Sequence, residues 1–96
     1  MSKPLTETEL TAELLNLAGW RIVEGRKAIC KSFAFKSFSK AWGFMAQAAL
    51  AAEKMDHHPE WFNVYGRVDV TLATHSAGGV TELDIKLATT MNKIAG

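Results

Sequence analysis

Apolar positions recur along the chain in three stretches of helical spacing, separated by two blocks of alternation. Leu10, Leu14 and Leu17 form one stripe at helical period. Thr6 can cap that helix, with Glu9 as its capping-box partner and Leu5 and Leu10 as a hydrophobic staple across the cap. Gly19 supplies the left-handed residue expected at its end. Trp20, Ile22 and the pair Glu24-Gly25 predict a short strand and a turn. Residues 28–35 then alternate, with Ile29, Phe33 and Phe35 on one strand face. Lys31 falls on the same face, so one end of it should lie near solvent.

Ser37 is the N-cap expected for a second, longer helix reaching about Met55. At ~100° per residue its apolar arc exceeds half the circumference. Phe38, Trp42, Met45 and Ala49 lie near the centre of the arc, and Phe44, Ala48, Ala51 and Met55 extend it to one side. Lys40, Gly43, Gln47 and Lys54 mark the polar side. One sheet face would not cover so wide an arc, and its surplus around Phe44, Ala48 and Met55 is expected to contact another subunit.

Strands are predicted at residues 62–65 and 67–74, with Gly66 in a tight turn between them. Val68, Val70 and Leu72 alternate with Arg67, Asp69 and Thr71, the pattern of an antiparallel strand with one wet face. Thr81 caps a third helix, with Asp84 in the capping-box place and Leu83, Leu87, Met91 and Ile94 as its stripe. The order α-β-β-α-β-β-α predicts an α+β fold of two layers: a four-stranded antiparallel sheet with three helices on one face.

Composition narrows the function classes. The 96 residues allow one domain, and 48% hydrophobic against 22% charged residues is the balance of a folded protein. Eleven basic residues stand against ten acidic ones, so the basic footprint of a nucleic-acid binder is absent. No run reaches the roughly 18 apolar residues of a membrane span, and the polar start lacks the apolar core of a signal peptide. The expected compartment is the cytoplasm. Cys30 stands alone and reads as a small apolar residue in a strand.

All three histidines fall within residues 57–75: His57 and His58 past the second helix, and His75 after the last strand. Imidazoles change charge near neutral pH, so such a group can move protons; as plain loop residues they would be solvated. Glu53 falls inside the apolar arc, one turn before His57: either its carboxylate has a partner or a use there, or it is an ordinary solvated glutamate at a fraying helix end. Asp84 is accounted for by capping its own helix. Trp20, Trp61, Phe62 and Tyr65 could stack on a flat ligand or fill the core. Adjacent His57 and His58 diverge on a regular element, no His-x-x-x-His pair occurs, and Gly78-Gly79 lacks a P-loop Lys, so no metal and no phosphate cradle are expected.

The run Glu53-Lys54-Met55-Asp56-His57-His58-Pro59-Glu60-Trp61-Phe62-Asn63-Val64-Tyr65 resembles the signature of the pterin-4a-carbinolamine dehydratases. The match continues through Thr74-His75 to Asp84, and takes in residues 33–38, Gly43-Phe44-Met45, and Trp20 with Glu24-Gly25-Arg26. It departs mainly in the Ser76-Ala77-Gly78 loop. The resemblance implies elimination of water from 4a-hydroxytetrahydrobiopterin to give quinonoid dihydrobiopterin, in tetrahydrobiopterin recycling, without a cofactor. It implies His57 and His75 as an acid–base pair assisted by His58. The substrate would be held by Glu53, Asp56, Pro59, Trp61, Ala73, Thr74 and Ser76 together with the three histidines, with Asp84 in support. It further implies self-association to a dimer or tetramer. Animal relatives also serve as dimerisation cofactors of a homeodomain transcription factor through the long helix, so a protein partner there, and a nuclear location, are the alternative expectation to a pure enzyme.

Overall fold

The computed structural model describes residues 3–96. Its elements follow the predicted order: α1 (Glu7–Leu14), β1 (Arg21–Ile22), β2 (Ile29–Ala34), α2 (Phe38–Met55), β3 (Glu60–Val64), β4 (Arg67–Leu72) and α3 (Glu82–Ala95), with a 3-10 turn at His75–Ala77 before α3. All three N-caps fall where the sequence puts them. In α1 the Glu9 amide donates to Thr6 Oγ1 at 3.1 Å, and Glu9 Oε1 accepts from the Thr6 amide at 2.8 Å. The Lys40 amide donates to Ser37 Oγ at 3.1 Å. The Thr81 amide donates to Asp84 Oδ2 at 2.9 Å. The first helix is shorter than its leucine stripe suggests. After Leu14 the chain turns through tighter bonds, Asn16 to Glu13 and Leu17 to Leu14, and reaches Gly19 at φ +83°.

The four strands form one antiparallel sheet in the order β1-β2-β4-β3. The register pairs Ile29 with Leu72, Lys31 with Val70 and Phe33 with Val68, and sets Trp61 opposite Val70. Ile29, Phe33, Val68, Val70 and Leu72 therefore project to one face, where they join Leu87, Ala88 and Met91 of α3 and Ala41, Phe44, Ala48 and Ala52 of α2 in the core. The opposite face leaves Ser32, Ala34, Phe62, Val64 and Arg67 exposed. Each buried Val or Leu side chain is worth about 1.5–3 kcal/mol, against about 0–1 kcal/mol for an exposed ion pair. The sheet–helix interface therefore holds the fold.

Phe44 fixes how α2 lies on the sheet. Its ring centroid is 4.6 Å from that of Phe33 and 5.1 Å from that of Phe35. Ala41, Ala48 and Ala52, almost devoid of exposed surface, let α2 and α3 approach closely. This corrects the expected outward face. Phe44 and Ala48 belong to the core and Met55 is half-buried against it, whereas Phe38, Trp42 and Ala49 are exposed, Trp42 by 58%. The sheet and α3 cover one flank of the wide arc and leave the other open.

Lys31 shares the inward face, and its ammonium is satisfied at the core margin. Nζ donates to the Ala18 carbonyl at 2.9 Å and to Asn92 Oδ1 at 2.8 Å, and lies 4.6 Å from the Phe33 ring centroid. Burial pushes its pKa below the ordinary 10.5. Trp20 is core as well, its indole N–H donating to Asn92 Oδ1 at 3.0 Å. No helix among the described residues is long and apolar enough to cross a membrane.

Candidate active site

The end of α2 separates the two adjacent histidines. Asp56 adopts the left-handed conformation (φ 52°), and the His57 amide donates back to the Ala52 carbonyl at 3.0 Å. This closes the helix as a Schellman-type turn, and Asp is among the residues that tolerate the left-handed region. His57 consequently turns inward and is 8% exposed, while His58 stays on the surface.

His57 Nε2 lies 2.6 Å from Oδ1 of Asp84, which is wholly buried. Oδ2 of Asp84 accepts from the Thr74 hydroxyl at 2.8 Å as well as from the Thr81 amide. Thr74 Oγ1 is also 2.8 Å from Thr81 Oγ1. Since Thr74 directs its proton to Asp84, the Thr81 hydroxyl donates to Thr74. Against an ionised carboxylate, which only accepts, the tautomer that completes this hydrogen bond is the one with its proton on Nε2 and its lone pair on Nδ1. Among the described residues no fully buried side-chain N or O lacks a hydrogen-bond partner, and Nδ1 bonds none of them. Nδ1 is therefore the nitrogen in contact with solvent.

At the surface, His58 hydrogen-bonds a carboxylate in the same way, and His75 faces one at longer range. His58 Nε2 is 2.7 Å from Glu53 Oε1, and His75 Nε2 is 3.4 Å from Glu60 Oε2. Glu53 lies on the open flank of α2 with its side chain 78% exposed, which removes the burial conflict its place in the apolar arc suggested. Arg26 grips Glu60 with both guanidinium nitrogens. Those hydrogen bonds hold the Glu60 carboxyl below its usual range and raise the Arg26 pKa in return.

Asp56, His57, His58, Ala73, Thr74, His75 and Ser76 line one cleft of about 270 Å³, between the end of α2 and the turn after β4. The backbone there is shaped by a bridge in which the Thr74 amide donates to the Gly79 carbonyl at 2.9 Å. Four other expected site residues stand behind the cleft. Glu53 reaches it through His58 and Asp84 through His57; Pro59 lies half-buried before β3; Trp61 packs its ring against the core. A larger cavity of about 750 Å³ shares Thr74 and Ser76 but holds no histidine. We place the site in the smaller cleft because the proton-transfer groups are there. Sequence reasoning assigned no role to Glu60 or Arg26, which are 34 positions apart and meet only through the sheet. Among the described residues no group of three or more His, Cys, Asp or Glu is placed to hold a metal.

Three imidazoles, each backed by its own carboxylate at the rim of a small cleft, define a cluster suited to giving and taking protons near neutral pH. The chain belongs to the pterin 4 alpha carbinolamine dehydratase family, whose model matches residues 3–94. A Brucella ovis protein provisionally named a pterin-4-alpha-carbinolamine dehydratase is 70% identical over 92 residues, covering 96% of this chain and 95% of its own. The crystal structure of a transcriptional coactivator/pterin dehydratase from Brucella melitensis superposes with a TM-score of 0.97 at 68% identity, covering 98% of this chain and all of that one. A pterin dehydratase-like protein identified as a RuBisCO assembly factor in the alpha-carboxysome shares the fold more distantly. Its TM-score is 0.70 at 25% identity, over 81% of this chain and 90% of its own.

Proposed function

We propose that this protein dehydrates 4a-hydroxytetrahydropterins, 4a-hydroxytetrahydrobiopterin among them, within tetrahydrobiopterin recycling. The observation that carries the reading is the meeting of His57, His58 and His75 at one cleft, each with Nε2 turned to a carboxylate. The elimination breaks the C4a–O bond and the N5–H bond. An imidazolium protonates the departing hydroxyl, which leaves as water. A neutral imidazole takes the N5 proton, and the N5–H electron pair forms the C4a=N5 bond of the quinonoid dihydropterin. One proton is given and one taken, so no oxidant, reductant or cofactor enters the balance. His57 and His75, which both line the cleft, serve in this scheme as the acid–base pair, with His58 and Glu53 supporting the ring's polar edge. Asp56 and the segment from Ala73 to Ser76 form the walls.

The test is whether the purified chain accelerates loss of freshly formed carbinolamine above its spontaneous rate, and whether His57→Ala and His75→Ala remove that acceleration. Near-normal rates in both variants would end the acid–base assignment.

A second reading rests on a separate observation, the exposed apolar flank of α2 around Phe38 and Trp42. That flank suits association with a second copy of the chain or with a protein partner. The coactivator description of the Brucella melitensis relative and the assembly role of the carboxysomal one are in keeping with it. Both roles can reside in one chain, since the flank and the cleft use different side chains.

A further inference from the structure

Glu60 has no part in the scheme above, yet its carboxylate ties together three segments of the cleft's surroundings. It opens β3; Arg26 lies in the connection between β1 and β2; His75 begins the turn after β4. Arg26 Nη1 donates to Oε1 at 2.8 Å, and Nη2 donates to Oε2. The same Oε2 stands 3.4 Å from His75 Nε2. We infer that Glu60, clamped by Arg26, is a positioning residue for His75: it holds Nε2 and leaves Nδ1 as the nitrogen that exchanges protons with the substrate.

The need for such a device follows from exposure. His57 is fixed by the core around it, whereas the His75 side chain is 80% exposed. An exposed side chain changes rotamer in picoseconds to nanoseconds, while proton transfer needs the ring held in place. A lone glutamate would be as mobile as the histidine it faces. The guanidinium fork narrows that freedom, because two parallel hydrogen bonds favour one plane and position of the carboxylate. The ionised form that Arg26 favours at Glu60 keeps the acceptor available while His75 cycles. The residue paired with Glu60 on β4 is Thr71, so no other charge on that neighbouring strand position competes for it. His57 and His58 hydrogen-bond their carboxylates through Nε2 at 2.6 and 2.7 Å; at His75 the same nitrogen faces Glu60 across a longer 3.4 Å contact.

The activity arm of the test rests on the dehydratase reading; the spectroscopic arm does not. Glu60→Ala is expected to lower kcat about tenfold, a fraction of the about 10²–10⁴ that an acid–base group supplies, with KM nearly unchanged. It should cost nothing further in a His75→Ala background, and Arg26→Ala should cost nothing further in a Glu60→Ala background. In ¹⁵N imidazole spectra the Nε2–H tautomer of neutral His75 should fall when Glu60 is replaced by Ala. An equal loss from Glu60→Ala with and without His75, or an unchanged His75 tautomer, overturns the proposal. If the unmodified chain shows no dehydratase rate, the proposed function falls while the tautomer measurement still decides the role of Glu60.

Discussion

His57 and Asp84, 27 positions apart, meet at 2.6 Å in the interior, and the carboxylate that receives His57 is the one that starts α3. Asp84 divides its oxygens between the two tasks. Oδ1 takes His57, and Oδ2 takes the Thr81 amide and the Thr74 hydroxyl. The helix cap and the backing of the imidazole are one interaction network, so disturbing either disturbs both.

Asp84→Asn tests that coupling. All three neighbours of the carboxylate are donors, and an amide offers one acceptor oxygen and an NH₂ that would face another donor. The variant should lose about 2–4 kcal/mol in urea unfolding, the scale of a broken buried network. It should also lose at least about 10²-fold in dehydration rate. A variant as stable as the parent would show that the network does not hold α3.

Acid should weaken the fold through Glu60. Its folded pKa lies below the ordinary 4.5, because Arg26 hydrogen-bonds the ionised form. Between the folded and unfolded values the unfolded chain binds more protons, so stability rises with pH across that window. The contribution is fully present above 4.5 and is lost as pH falls through the folded value. In Glu60→Gln the slope of unfolding midpoint against pH below 4.5 should flatten. An unchanged slope would assign the acid sensitivity to other carboxylates.

Gly66→Ala should be among the most damaging small substitutions. A Cβ there would stand 2.3 Å from the backbone oxygen of Phe35, and the Phe35 amide donates to the Gly66 carbonyl at 2.8 Å. Backbone on both sides leaves nothing to yield. The expected loss is about 3 kcal/mol, a fall in thermal midpoint above about 10 °C for a domain of this size.

Trp42→Lys with Phe38→Lys tests the open flank of α2. Both side chains are more than half exposed, so the doubly substituted chain should keep its circular dichroism spectrum and thermal midpoint. Its mass by light scattering should fall if the parent associates through this face. Unchanged mass in an oligomeric parent would move the interface elsewhere. A charge at Phe44 would not serve, since that ring is core.

What the sequence disclosed, and what it concealed, divides by range. The caps at Thr6, Ser37 and Thr81 are local hydrogen bonds within three residues, and each was legible. So was the buried face of β4, because alternation fixes Val68, Val70 and Leu72 on one side. The wide arc of α2 told only that the helix has more apolar surface than one layer covers. Which half turns inward depends on where Phe44 meets Phe33 and Phe35, a fact of tertiary packing. For Glu53 the pattern allows either a paired carboxylate or a solvated one at the helix end, and packing makes it both: largely exposed and bonded to His58. Asp84 read equally as a cap or a site residue, and the fold gives each oxygen one of those tasks. Arg26 and Glu60 carry no mutual signal in the chain; β2 and β4 must lie between them before they can touch.

The sheet order has a consequence for how the cleft comes into being. The central pairing joins β2 to β4 across the whole of α2, with Ile29 opposite Leu72, so it closes a long loop before any of its bonds form. One wall of the cleft hangs from the end of α2 and the other from the end of β4, and α3 must dock before Asp84 reaches His57. The His58–Glu53 pair is local to the end of α2, but the backing of His57 and the approach of Glu60 to His75 wait for the assembled sheet and α3. In a refolding experiment, turnover should be the last signal to recover, which makes activity a strict reporter of the completed chain topology.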